Sequence, residues 1–293
     1  MTESTTLEFA SLPSLSAAYR RALFCSKPGL GDGETIPKIE ARVAEVRIEA
    51  QRLADYRRIC GFVDSDHVPI TYPQVLANAV HAEMVLAPTF PVKPWRIIHR
   101  GNTITSHRPL RADEPFALVG RVEGHRETQN GIEIDFFTNL EVDGETVWNS
   151  TSNVLIRRGK AAPGKKPPPK AVPGDEPSRW RSTIWKLPAN AGRLYSAVAN
   201  DYNPIHLYAL TAKLFGFKRA IVHGLWSLAR CVAELDHDLP GTPLTVEVQF
   251  KRPVYLPGTV LFTAGRREQG VEFALRTPDG AKPHLVGLAT SVG

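Results

Sequence analysis

Asp201, Asn203, Pro204 and His206 fall within six consecutive positions of this 293-residue chain. A carboxylate and an imidazole that both reach one water are the components of an acid–base pair. An amide beside them donates and accepts at once, so Asn203 suits a supporting role. Five residues separate the acid from the histidine, and positions i and i+5 diverge by about 140° around a helix. A turn is therefore expected. Pro204 removes a backbone donor and disfavours a helical Asn203, which holds that turn open. Ile221, His223 and Gly224 then lead into the apolar run GLWSLARCVAEL, predicted as a helix over 224–235. The first N–H groups of a helix have no partner within it and carry the positive end of its dipole. Gly224 leaves such a group open to close approach, and a donor of this kind stabilises a developing oxyanion by about 3 kcal/mol. Taken singly, each residue has a structural reading: Asp201 as a helix cap, Asn203-Pro204 as a turn initiator. Together they favour chemistry. His223 is expected to fix the loop by hydrogen bonding, Tyr195 to be a core residue with a satisfied hydroxyl, and His81 to be structural. His99, His107 and His125 lie on predicted strands without partners at ligand spacing; neither a metal site nor a cofactor is expected.

The elements that position these residues occur twice. Each half opens with a short alternating run, ARVAEVRI at 41–48 and RWRSTIWKL at 179–187, followed by a helix-like stretch carrying a tyrosine. An irregular polar segment comes next, then a longer apolar helix at 72–86 or 224–235. Strand-like runs rich in Val, Ile, Thr and Phe close each half, separated by Gly-containing turns. A helix followed by an antiparallel sheet, twice over, defines an α+β fold. Four segments are expected: an N-terminal extension (1–40), a first half (41–158), a Pro/Lys-rich linker (159–178) and a second half (179–293).

Hydrophobic content of 42% and charged content of 23% are ordinary for a globular chain. The net charge of +6 invites a nucleic-acid reading, but Arg157, Arg158, Lys160, Lys165, Lys166 and Lys170 sit together with no acid among them. Those six residues equal the whole excess, so the charge belongs to a solvated linker rather than to a folded binding face. Cys25, Cys60 and Cys231 are odd in number and widely spaced, which argues against disulfides or zinc. No signal segment or long apolar run is present. A cytoplasmic protein is expected.

The pattern Asp201-x-Asn203-Pro204-x-His206, with Gly216-Phe217 and Ile221-x-His223-Gly224 after it, resembles the hydratase-2 motif of MaoC-like dehydratases. The likeness is to the mycobacterial-type double hot-dog 3-hydroxyacyl-thioester dehydratases, and it spans roughly residues 40–293. It implies a double hot dog in which two halves pack as a pseudo-dimer with their sheets side by side. It also implies reversible hydration of trans-2-enoyl thioesters to (R)-3-hydroxyacyl thioesters. Asp201 and His206 then share the reacting water, Asn203 supports them, and the Gly224 N–H holds the thioester oxygen; which of the pair is acid in each direction is open. Two positions depart from the family: Asn200 stands where many members have glycine, and Tyr208 where many have aspartate. The first half lacks the motif, reading GFVDSDHVPIT, so His67 is taken as a surface or structural histidine. Lys213, Lys218 and Arg219 flank the motif and are candidates for meeting the phosphates of coenzyme A or an acidic acyl carrier protein. A monomer and a homodimer both fit. Two rivals remain: a hot-dog thioesterase, and a non-catalytic acyl-thioester-binding subunit.

Overall fold

The computed structural model describes residues 4–31, 33–157, 178–268 and 270–291. In chain order these form β1 (Thr5–Phe9), α1 (Leu15–Ala22), β2 (Ile39–Val46), α2 (Ala50–Cys60) and α3 (Tyr72–Leu86). Then come β3 (Ile97–Ser106), β4 (Phe116–Val122), β5 (Arg126–Thr128), β6 (Gly131–Val142) and β7 (Glu145–Arg157). Beyond the linker, of which only Ser178 falls within the described residues, lie β8 (Ser178–Leu187), α4 (Ala191–Ala199), α5 (Ala209–Leu214) and α6 (Gly224–Glu234). β9 (Leu244–Phe250), β10 (Gly258–Arg267), β11 (Gly270–Arg276) and β12 (Pro283–Ser291) complete the chain.

The strands make one 12-stranded sheet in the order β1-β2-β4-β6-β7-β3-β9-β12-β11-β10-β8, with β5 on β6. Apart from the parallel β1–β2 pair, every pairing is antiparallel. The two halves meet where β3 runs against β9, from Gly101 opposite Gln249 to Ser106 opposite Leu244. Glycine is needed at that seam, because a Cβ on Gly101 would stand 2.6 Å from the Val248 carbonyl oxygen. Beside it the pairing of β3 with β7 slips between His99 and Gly101. Such a bulge re-aims the side chains next to it. The fold is therefore an α+β double hot dog whose halves lie side by side and share one continuous sheet.

Each half wraps a central helix. α3 buries nearly every residue, as its lack of a polar face requires. Pro73 stands in its first turn, where the missing N–H costs nothing. α6 buries Leu225, Trp226, Leu228, Ala229, Cys231 and Val232. The halves are also tied through their helices: the Trp226 indole N–H donates to the Ile59 carbonyl at 3.2 Å, and the Tyr56 and Tyr195 rings lie 6.2 Å apart. Among the described residues, no helix is long and apolar enough to cross a membrane.

Candidate active site

α4 stops at Ala199 because Asn200 turns left-handed, with φ 54°. Glycine takes that conformation most readily and asparagine tolerates it, so the departure at Asn200 preserves the turn. Asn203 is extended, as the residue before a proline should be. The Asp201 carboxylate accepts the Asn203 N–H at 3.2 Å, and the Asn203 side-chain oxygen accepts the Ile205 N–H at 3.3 Å. Two successive turns of this kind are what asparagine and aspartate favour. Pro204–His206 then forms a single 3-10 turn. At Tyr208, just before α5, no side chain caps the helix; the Arg193 guanidinium lies 4.9 Å over its ring instead.

The segment before α6 is laced to this turn. The Ile221 N–H donates to the Ile205 carbonyl at 3.1 Å, and His206 Nδ1–H donates to the Ile221 carbonyl at 2.8 Å. That second bond fixes the tautomer of a neutral imidazole, leaving Nε2 unprotonated. Burial lowers the His206 pKa, against the pull of Asp201. His223 Nε2–H donates to the Asp201 carbonyl at 3.1 Å, so this histidine does fix the loop. Its ring stacks on His206 at 3.6 Å between centroids, and burial with the neighbouring His206 pushes its pKa down to about 3. Burial opposes ionisation of Asp201. His223 and His206 outweigh it, with the Tyr19 hydroxyl nearby and a hydrogen bond from the Asn203 N–H, and the net direction is downward. The Asp201 side chain is 18% exposed while that of His223 is 3% exposed, which leaves the carboxylate an edge that water can reach.

A carboxylate oxygen of Asp201 and one ring nitrogen from each of His206 and His223 lie within 4.8 Å of one another. Two acceptors each about 2.8 Å from one water stand no more than about 5.6 Å apart, so these groups are close enough to share a single water. A metal ion suits it less. With rings stacked 3.6 Å apart and only 24° between their planes, the lone pairs of His206 and His223 lie in nearly parallel planes that do not meet close to either ring. They cannot both point at one ion at about 2.1 Å.

Gly224 is the first residue of α6, so its N–H has no acceptor within the helix. The Phe250 ring packs against its bare Cα, 3.1–3.3 Å from where a Cβ would stand. His99, set by the bulge at the seam, meets Phe250 edge-on at 5.0 Å and feels the charge of Asp201. Burial lowers its pKa to about 4. A residue of the first half thus stands close to the motif of the second, which strand position in the sequence did not signal. Lys213 and Lys218 are exposed on α5 and the loop after it. Arg219 is exposed as well, but its guanidinium reaches the Pro257 carbonyl at 3.2 Å and lies 5.8 Å from the Tyr255 ring centroid. His67 is exposed, and His81 is buried on Thr138 Oγ1 at 2.7 Å.

One expectation is corrected. Tyr195 is buried as expected, yet its hydroxyl has no hydrogen-bond partner among the described residues. Its ring is held beside Tyr56 and His223, and the Tyr56 hydroxyl is already committed to Thr71 at 2.9 Å. Ring packing decides its place.

The buried neutral histidines make a prediction about stability. His81 is pushed down to about 3 by burial and by nearby His99, like His223. An unfolded chain takes up protons on these residues from about pH 6.5 downward, whereas the folded chain does not until about pH 3. Stability is therefore full above that window and falls as pH drops through it, by about 1.4 kcal/mol per pH unit for each histidine. The urea midpoint at pH 5 should lie clearly below that at pH 7, and His81→Gln should flatten the slope. Equal midpoints at the two pH values would contradict it.

Residues 167–282 match the family model described as the MaoC like domain. With the doubled helix-and-sheet architecture, this makes the chain similar to the MaoC-like double hot-dog dehydratases. Over 266 residues it is 29% identical to 3-hydroxyacyl-thioester dehydratase X of Mycobacterium tuberculosis, covering 90% of this chain and 94% of that protein. The crystal structure of HtdX from the same organism matches with a TM-score of 0.74 at 29% identity, over 86% of this chain and 99% of that one. A MaoC-like dehydratase from Phytophthora capsici shares the fold at 20% identity and a TM-score of 0.67, over 87% and 95% of the two chains.

Proposed function

We propose that this chain is a hydro-lyase that interconverts trans-2-enoyl and (R)-3-hydroxyacyl thioesters, using Asp201 and His206 on one shared water. The observation that carries the reading is the pairing of an ionised Asp201 with a His206 whose Nδ1–H is spent on Ile221. Both present acceptors to the same space, so both protons of a bridging water have somewhere to point. In hydration the water oxygen bonds to C3 of the enoyl group as one of the pair takes its proton. The C2–C3 π electrons move toward the thioester carbonyl, whose oxygen gains charge beside the Gly224 N–H. As that enolate collapses, a proton returns from the pair to C2. Neither group carries a spare proton at rest, so the proton delivered to C2 is one taken from the water. Asn203 holds the turn and Asp201 through its N–H.

The first half, which lacks the motif, forms the facing wall of the site through His99. One chain then holds one complete site, and a monomer is sufficient. Exposed Lys213, Lys218 and Arg219 are assigned to the carrier, whether the phosphates of coenzyme A or an acyl carrier protein. The test is loss of the conjugated enoyl-thioester absorbance when the protein meets short and medium trans-2-enoyl-CoAs, then acyl-carrier-protein substrates, with chiral analysis of the product. Formation of the (R)-3-hydroxyacyl thioester supports the reading. Release of free thiol would replace it with a thioesterase, and no turnover on either carrier with a binding subunit.

A further inference from the structure

We propose that the interior of the first half is a subsite for a hydroxyl group on the acyl chain, held between Asn102 and Ser150. The inference rests on the reading of this chain as an enoyl-thioester hydratase. α3 carries Gln74, Asn78 and His81 at the four- and three-residue steps that keep to one helix face. Three strands meet that face with Asn102, Ser152, Ser150 and Thr138, each at most 3% exposed. Asn102 Nδ2 donates to Gln74 Oε1 and to Ser152 Oγ, both at 2.9 Å, and Gln74 Nε2 donates to Asn78 Oδ1 at 3.1 Å. Two atoms of this cluster are left over. Asn102 Oδ1 and Ser150 Oγ are buried without a hydrogen-bond partner among the described residues. Both amide hydrogens of Asn102 are already given, so its oxygen needs a donor. His99, three positions away, has none to offer: burial keeps it neutral, and its one N–H goes to the Gly101 carbonyl at 3.1 Å.

The second half shows that the fold does not require this polarity. Residues directly opposite each other on antiparallel strands share one face of the sheet. One row of such pairs runs Phe136–Ser152–Asn102–Val248–Gly287–Phe273, from β6 across the seam to β11. The next runs Thr138–Ser150–Ile104–Val246–Ala289–Val271. Beyond the seam both rows are apolar. A buried polar atom without a partner is destabilising, and the half that carries the motif avoids it on this face. Ser150 is diagonal to Asn102, a spacing that side chains can bridge. One hydroxyl between them donates to Asn102 Oδ1 and accepts from Ser150. The cluster also lies next to the reacting end. Asn102 stands opposite Val248, and Phe250, two residues or about 7 Å further along β9, packs on Gly224. An acyl chain whose thioester oxygen sits on the Gly224 N–H passes Phe250 and enters the first half beside Asn102.

The test compares trans-2-enoyl-CoAs with and without a terminal hydroxyl, matched carbon for carbon over a series of chain lengths. At the lengths that bring the hydroxyl to Asn102, its kcat/KM should exceed that of the plain chain by about tenfold, the effect of one hydrogen bond. Asn102→Leu, which keeps the bulk and removes the acceptor, should reverse the preference at those lengths. Ser150→Ala breaks no hydrogen bond among the described residues. It should weaken the preference without lowering the melting temperature, and it decides the matter if Asn102→Leu does not fold. Plain chains handled equally well or better at every length by the parent protein would overturn the proposal. So would a preference that survives in the folded variants, since the cluster would then be no more than a hydrogen-bonded core. If neither kind of chain is turned over, the proposed reaction fails. Calorimetric Kd values for the matching saturated acyl-CoAs then still decide the subsite: tighter binding of the hydroxylated chain at some length upholds it, and equal or weaker binding at all lengths overturns it.

Discussion

Asp201→Asn will leave a folded protein that hydrates enoyl thioesters about 10²–10⁴-fold more slowly, the range expected for loss of a general acid or base. The substitution is nearly isosteric. The amide oxygen can still accept the Asn203 N–H that Asp201 accepts at 3.2 Å, so the turn stays in place. What disappears is the negative charge and the ability to take a proton. His206→Gln should cost a similar amount, because Nδ1 holds the ring on the Ile221 carbonyl and the lost Nε2 is the other acceptor. If both side chains work through one water, the losses do not add. The double variant should then be about as slow as the slower single one, as happens for groups acting as a unit. KM should change little in all three, since neither side chain is assigned to the carrier. Initial rates by absorbance, with circular dichroism to verify folding, decide the matter. Losses that multiply would show independent roles and sink the shared water. A fully active Asp201→Asn would remove Asp201 from the chemistry.

Much of this arrangement was legible in the sequence because it rests on local rules. Pro204 fixes its own φ and restricts Asn203, and Asn200 tolerates a left-handed turn, so residues 200–206 specify their shape without help from the rest of the chain. The apolar runs 72–86 and 224–235 mark the two central helices almost to the residue. What could not be read depends on distant contacts. His99 reaches the site through a bulge in β3 and through the β3–β9 seam, and strand periodicity carries no sign of either. Residues 1–40 looked like an extension, yet β1 pairs with β2 and α1 lies on α3. The last two of those residues, Ile39 and Glu40, already belong to β2. That the Tyr195 hydroxyl has no partner among the described residues follows from ring packing between both halves, which spacing along one chain does not encode.

Gly192→Ala will cost both stability and turnover, although the substitution favours a helix. Gly192 stands in the first turn of α4, where exchange for alanine would by propensity alone stabilise by about 0.8–1 kcal/mol. The tertiary contact opposes this. A Cβ at 192 would stand 2.1 Å from the His206 carbonyl oxygen and 3.1 Å from its carbon, with Leu256 Cδ1 at 3.4 Å. Ordinary contact is about 3.5–4.0 Å between carbon atoms. The obstacle is backbone, which cannot swing aside as a side chain would, so α4 and the turn must separate by more than about 1 Å. Overpacking of this kind costs about 1–3 kcal/mol, which exceeds the propensity gain. The movement falls on the residue whose ring hydrogen-bonds to Ile221 and faces Asp201. A misplacement of about 1 Å at a reacting group can cost about 10²-fold in rate. The expected result is a lower melting temperature and a kcat down by about 10²-fold. Gly241→Ala is the control, because a Cβ there meets nothing within 4 Å and the backbone is not left-handed. If Gly192→Ala matched that control in both measurements, the close approach of α4 to the His206 turn would be wrong. The acid–base pair would then need some other support for its position.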